Sequence, residues 1–184
     1  MSVLDHHAVT RFDDAVDQWF AANLRGRPVF DRMFYALSAV GDWSLIWHVI
    51  GWTRAITHRR PTDGASLSIG LGLESALVNG FIKSRFRRAR PATGSGTRPH
   101  RLRTPRTSSF PSGHASAAAF TATVLSRRAG KPALWWGLGG LVAVSRVHVR
   151  IHHASDVVGG AVIGALLGQV LGIPLSRAVE DRFG

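Results

Sequence analysis

The chain has 184 residues, no cysteine, and 23 basic against 11 acidic side chains, a formal net charge of +12. One domain accommodates that length, and the missing thiols exclude disulfides, thiolate metal sites and a cysteine nucleophile. The basic excess is almost all arginine, with lysine only at Lys83 and Lys131, so the partner must be acidic: nucleic acid, anionic lipid or a phosphorylated substrate.

Residues 1–25 carry acids and no unbroken apolar run, so no secretory signal is expected there. Over 12–24, Phe12, Val16, Trp19, Phe20 and Leu24 share one helical stripe, with Asp13, Asp14 and Asp17 mostly elsewhere. That pattern predicts an amphipathic helix at an interface or capping a core, rather than a membrane span. Four longer apolar segments follow, roughly 33–56, 64–82, 132–149 and 155–175. Each comes close to the ~20 helical residues that a bilayer core of about 30 Å requires. A fifth, 110–126, is made mostly of small residues and reaches only about 18 Å as a helix. It has to sit inside a bundle, with its ends snorkelling or set below the interface.

The last segment spaces Gly160, Gly164, Gly168 and Gly172 four residues apart, a groove for close helix packing in lipid. A buried helical hairpin in a soluble core is the competing reading. So many long apolar segments in so short a chain favour the bilayer. The expected fold is all-α: a membrane-embedded bundle of about five spans plus the N-terminal amphipathic helix, forming a single domain over 1–184. Between the second and third spans, residues 84–109 hold eight arginines and His100 but no acid. Pro91, Pro99, Pro105, Gly94 and Gly96 keep this basic loop irregular.

Three short motifs carry the chemistry: Lys83-x6-Arg90-Pro91, Pro111-Ser112-Gly113-His114, and Ser145-Arg146-x5-His152-x3-Asp156. His148, His152 and Asp156 follow at i, i+4 and i+8, a spacing at which one helix can present metal ligands. A metal, however, leaves Lys83, Arg90 and Arg146 unexplained, since cations around a divalent ion oppose its binding. A phosphoryl group requires the reverse, fixed positive charge about its oxygens and an in-line nucleophile. His152 then reads as the nucleophile, with Asp156 accepting the imidazole N–H and fixing the tautomer. His114, after a tight Pro-Ser-Gly turn, suits a general acid. Ser112 and the Gly113 amide at a helix start can donate to phosphate oxygens. Arg90 and Arg146 offer bidentate forks, Lys83 a compact charge. Singly, each residue has a blander reading; Lys83, for instance, suits a snorkelling anchor. Jointly, the motifs fall at ends of apolar segments and can share one membrane face.

This order of motifs resembles the type 2 phosphatidic acid phosphatase, or lipid phosphate phosphatase, superfamily, with a match at every motif position over residues 83–156. More loosely, Leu37-Ser38-Ala39-Val40-Gly41-Asp42 and Asn79 also look like bacterial members. The resemblance implies phosphate binding by Lys83, Arg90, Ser112, Gly113 and Arg146, acid catalysis by His114, and a phosphohistidine on His152 held by Asp156. Water completes the hydrolysis, and neither metal nor organic cofactor is implied. Soluble acid phosphatases and vanadate haloperoxidases share the superfamily; the four apolar segments argue against the first and the short chain against the second.

The expected partners are a lipid phosphate substrate and membrane lipids, not nucleic acid, with the oligomeric state open. Polyprenyl phosphate or diphosphate, a polyprenyl-phosphoryl sugar phosphate, phosphatidate and phosphatidylglycerol phosphate all fit. Counting arginines by the positive-inside rule puts the basic loop in the cytoplasm. The resemblance and the employment of those arginines on phosphate favour the extracytoplasmic face. Glu74 and His48 within apolar segments suggest pairing inside the bundle more than substrate contact. The alternatives are a metal-dependent hydrolase and a non-enzymatic basic membrane protein that binds anionic lipid through 84–109.

Overall fold

The computed structural model describes residues 7–92 and 107–183, all helices and connections, with no strand among them. Helix α1 (His7–Asn23) is followed by α2 (Pro28–Val40), a 3-10 turn (Asp42–Ser44) and α3 (Leu45–Thr57). Helix α4 (Pro61–Ser75) continues through a π-helical stretch (Ala76–Ile82) into a 3-10 turn (Lys83–Arg85). After the basic loop come α5 (Gly113–Ala129), α6 (Pro132–His148), α7 (Ala154–Leu167), a second π-helical stretch (Gly168–Gly172) and α8 (Ile173–Phe183). Prolines open α2, α4 and α6, where a missing N–H costs no hydrogen bond.

Helix α5 is the axis of the bundle. Every residue from Ala115 to Leu125 is buried, and α4, α6 and α7 pack around it. Its small side chains permit this, and the glycines of α7 meet them from the other side. A Cβ at Gly160 would fall on the Ser112 carbonyl, and one at Gly164 on the Ser116 carbonyl. Gly168 and Gly172 lie equally close to Thr123, Val124 and Phe120. The four-residue glycine spacing is therefore the footprint of α5 on α7, as its periodicity predicts. Trp47, Leu67, Leu71, Phe120, Trp135 and Val142 fill the core beside it.

The outside of the bundle is apolar. Leu45, Val49, Trp52 and Ile56 are exposed along α3, Ile69, Leu73, Leu77 and Phe81 along α4 and its π-helical continuation, and Val158, Val162, Leu166 and Val170 along α7 and its continuation. Inside, Ser66, Glu74, Ser116, Thr121, Ser145 and Arg146 are buried. Two continuous helical stretches, Pro61–Arg85 and Ala154–Phe183, are long and apolar enough to cross a membrane.

Two expectations about elements need correction. The segment 33–56 is two 13-residue helices rather than one span. The chain breaks at Gly41–Ser44, where Trp43 and Ser44 both take left-handed backbone angles (φ 57°), a conformation no helix continues through. On α1, Phe20 is buried and Val16 and Leu24 pack beside it, but Phe12 and Trp19 are exposed and Asp13 is buried instead. A polar residue lies on the packed face because the surface it meets, the start of α7, is polar as well.

At the end of the bundle remote from the motifs, Arg128 pairs with Asp63 (3.0 Å) and Glu180 (2.6 Å), and Arg60 also pairs with Glu180. These bridges tie α8 to α4 and α5.

Candidate active site

The three motifs converge because four helix ends meet at one side of the bundle: the end of α4, the start of α5, the end of α6 and the start of α7. The Gly41–Ser44 break joins them. Together they enclose a cavity of about 470 Å³, lined among others by Asp42, Lys83, Gly113, His114, Arg146 and His152. Five of the eight site residues named from sequence therefore face one space. The other three, Arg90, Ser112 and Asp156, sit directly behind it.

His152 occupies the turn between α6 and α7, not a helix. Helix α6 ends at His148 and α7 begins at Ala154, so His148, His152 and Asp156 do not share a helical face. His148 turns away, its Nε2 2.8 Å from Asp31 Oδ1 and its ring stacked on Phe34. No group of three or more His, Asp or Glu side chains is arranged to hold a metal among the described residues.

Asp156 lies in the first turn of α7 and is fully buried. Its Oδ2 is 3.6 Å from His152 Nδ1, an ion-pair distance too long for a direct hydrogen bond. Ser109 sits between them, donating to Asp156 Oδ2 at 2.5 Å with its Oγ 3.5 Å from His152 Nδ1. The His153 amide donates to the same carboxylate oxygen at 2.9 Å, and Arg88 Nη1 to Oδ1 at 2.6 Å. A carboxylate with these donors is held in one orientation. The Ser112 amide donates to the Asp156 backbone carbonyl (3.0 Å), locking the start of α5 to that of α7.

The second imidazole nitrogen, Nε2, lies 3.3 Å from Arg90 Nη1. A guanidinium has only protons to offer, so the nitrogen it approaches carries the lone pair and the proton resides on Nδ1. Arg90 is itself fixed by the carbonyls of Ile151 (2.9 Å), Thr107 and Ser108. Burial, with the cations Arg146 and Arg90, pushes the His152 pKa down to about 3 against the pull of Asp156. The depressed value means that the folded protein favours the neutral ring, which protonates only as pH falls toward that value.

Lys83 is buried and donates to Asn79 Oδ1 (3.1 Å). Asn79 packs against Gly113 so closely that a Cβ there would lie 2.6 Å from its amide oxygen. Ser112 caps α5, its Oγ accepting from the Ala115 amide (3.4 Å), which leaves the hydroxyl proton free to donate. Buried Arg146 donates to Ser38. His114 Nε2 is 3.2 Å from the Ser38 carbonyl and 3.1 Å from Asp42 Oδ1. Both partners are acceptors, so Nε2 bears a proton.

Glu74 and His48 are paired within the bundle, to Ser116 and to Ser68 (3.0 Å), and both also line the cavity. In the basic loop, His100, Arg98, Arg101, Arg103 and Arg106 lie outside the described residues. Ser38, Asp42, Arg88 and Ser109 were missed from sequence as members of the site. Ser109 adjoins a motif, and Ser38 and Asp42 lie in the Leu37–Asp42 stretch, so proximity was a usable signal for these three. Nothing in the spacing marked Arg88 among its neighbours.

A histidine-selective ¹⁵N spectrum in detergent, assigned with His152→Ala, should show the His152 ring neutral and protonated at Nδ1 from about pH 8 down to about pH 5. An imidazolium signal growing in near an ordinary histidine pKa would contradict this geometry.

A model described as "PAP2 superfamily" matches residues 64–173. Lipid A 4'-phosphatase of Porphyromonas gingivalis is 27% identical, aligning over 77% of this chain; the match spans 64% of that relative's length. A transmembrane PAP2 type phosphatidylglycerolphosphate phosphatase from Bacillus subtilis has a similar fold, with TM-score 0.70 and 24% identity. That match covers 98% of this chain and 90% of the other. Aquifex aeolicus LpxE superposes with TM-score 0.69 at 23% identity, over 92% of this chain and 98% of that one. With the family match running through all three motifs, the chain belongs to the PAP2 superfamily, that of the type 2 phosphatidic acid phosphatases.

Proposed function

We propose that this protein is a multi-pass membrane phosphatase that hydrolyses a lipid phosphate monoester or diphosphate through a phosphohistidine on His152, without a metal. The observation that carries the reading is His152 Nε2 3.3 Å from Arg90 Nη1, with His152 lining a cavity that Lys83, Arg146 and Gly113 line as well. The phosphate sits among these donors, with Ser112 adding its hydroxyl. His152 Nε2 attacks phosphorus in line while Asp156, through Ser109, holds the Nδ1 proton. As the P–O bond to the lipid breaks, His114 protonates the leaving oxygen; Asp42 beside it stabilises the protonated ring. His114 then takes a proton from water, whose oxygen attacks the phosphohistidine, releasing inorganic phosphate and free His152.

The apolar stripes on α3, α4 and α7 support embedding in a bilayer: a soluble chain does not expose such surfaces while burying serine, threonine and arginine. A lipid tail then remains in the membrane while its headgroup enters the cavity. The named relatives act on lipid A and phosphatidylglycerol phosphate, which supports a lipid phosphate here.

Phosphate release should be measured from polyprenyl phosphate and diphosphate, phosphatidate, phosphatidylglycerol phosphate and lipid A in detergent with a chelator present. His152→Ala should lose at least about 1,000-fold of the turnover. His114→Ala should lose about 100-fold or more on these alkyl esters and much less on p-nitrophenyl phosphate, whose leaving group needs no acid. Turnover retained by His152→Ala, or abolished by the chelator, would refute the mechanism.

The site opens, in this reading, on the extracytoplasmic face. Arg88 and Arg90, within the basic loop, are engaged with Asp13, Asp156, Ile151 and His152. Setting these two aside leaves six loop arginines against Arg54, Arg59, Arg60, Arg127, Arg128 and Lys131 at the opposite end, so the charge count no longer places the site in the cytoplasm. Because the chain has no native cysteine, Ser84→Cys should label with an impermeant maleimide on intact cells, and Thr57→Cys only after permeabilisation. The reverse pattern would place the site in the cytoplasm.

A further inference from the structure

We infer that Asp13, on the N-terminal helix, is a positioning residue for the phosphoryl-transfer site, acting through Arg88 on Asp156. The inference rests on the function proposed above and adds a residue far from all three motifs. Asp13 is 5% exposed, buried on a helix whose outer face is open. Its Oδ2 accepts from Arg88 Nη2 at 2.5 Å, and the other end of the same guanidinium, Nη1, donates to Asp156 Oδ1 at 2.6 Å. Ser155 closes the arrangement: its amide and hydroxyl both donate to Asp13 at 2.8 Å, and its Oγ accepts from Arg88 at 2.7 Å. One arginine is thus stretched between two buried carboxylates, one of them beside the nucleophile.

The charges explain why two carboxylates are needed. Arg88 and Asp156 alone would cancel, leaving no net negative charge next to His152. With Asp13 the trio carries one net negative charge. When His152 Nε2 bonds to phosphorus and the bond to the lipid oxygen breaks, the ring becomes cationic, with His114 supplying the proton to the departing oxygen. That cation forms against a carboxylate whose charge Asp13 has preserved. The same contact helps fix the plane of Asp156, since Asp13 anchors the far end of the guanidinium that donates to Oδ1. A mere staple for α1 is already present elsewhere: Arg25 donates to the carbonyls of His148 and Val147, and to Asp17. Helix α1 thus has an attachment besides Asp13.

The test uses the full chain in detergent, with wild type and His152→Ala measured side by side on the lipid panel. Asp13→Asn should lower kcat by about 10- to 100-fold with KM changed by less than about twofold. Asp13→Glu, which keeps the charge, should recover part of the loss. In an Arg88→Gln background, Asp13→Asn should change kcat by less than about twofold, since its route to Asp156 is already cut. A single-variant kcat within about twofold of wild type, or an equal fractional loss in both backgrounds, overturns the inference. Should Asp13→Asn fail to fold, Asp13→Glu in the same two backgrounds gives the coupling. Wild-type turnover that His152→Ala abolishes supports the underlying function whatever Asp13 does. Absence of wild-type turnover would remove both.

Discussion

A single buried carboxylate organises the reactive end of this bundle. Asp156 is fully buried, and an ionised group there is tolerable only with partners on both oxygens. Those partners come from three places: Arg88 near the start of the basic loop, Ser109 at its end, and the His153 amide at the mouth of α7. Its backbone carbonyl takes a fourth donor, the amide of Ser112 that begins α5. The order of the active site is thus the hydrogen-bond requirement of one side chain. His152 is placed as a consequence, in the short turn between Arg146 and that carboxylate.

The same end of the molecule gathers Lys83, Arg88, Arg90 and Arg146 within a few residues' reach. Like charges this close are costly unless carboxylates or a bound anion offset them. Asp13, Asp42 and Asp156 supply part of the offset, and under the proposed function a bound phosphate would supply the rest. The depressed His152 pKa belongs to this balance: burial and the neighbouring arginines keep the ring neutral, as the proposed nucleophile must be. In the proposed function, the aliphatic stripes face lipid and the polar interior receives an acidic headgroup at the cations while its tail stays outside.

Much of this was legible from residue patterns because it depends on local rules. Glycines four apart from Gly160 to Gly172 predict close packing, and they meet the α5 segment, Gly160 and Gly164 at the backbone of Ser112 and Ser116 and the other two mainly at side chains. The small residues of 110–126 predict an interior helix, and α5 is buried along its whole middle. The eight motif residues come together because they sit at helix ends that alternate along the chain. What was not legible depends on contacts between distant segments. The break at Gly41–Ser44 lies in a run of apolar residues whose periodicity hides it, although it delivers Asp42 to His114. The spacing of His152 and Asp156 suggested one helical turn, whereas a non-helical turn produces the pairing and Ser109 mediates it. Helical periodicity puts Asp13 on the polar side of α1, since it assumes that the packed face is apolar. Only the polar start of α7 reverses that assignment.

The most direct test of the chemistry is rapid quenching of the enzyme into alkali during turnover of a ³²P-labelled lipid phosphate, followed by peptide mapping. Label should appear on the peptide containing His152, stable in base and lost in acid as a phosphoramidate is, and be absent from His152→Ala. Label on another residue, or turnover in which water oxygen enters phosphate with inversion at phosphorus, as in a single direct displacement, would contradict a phosphohistidine at this site.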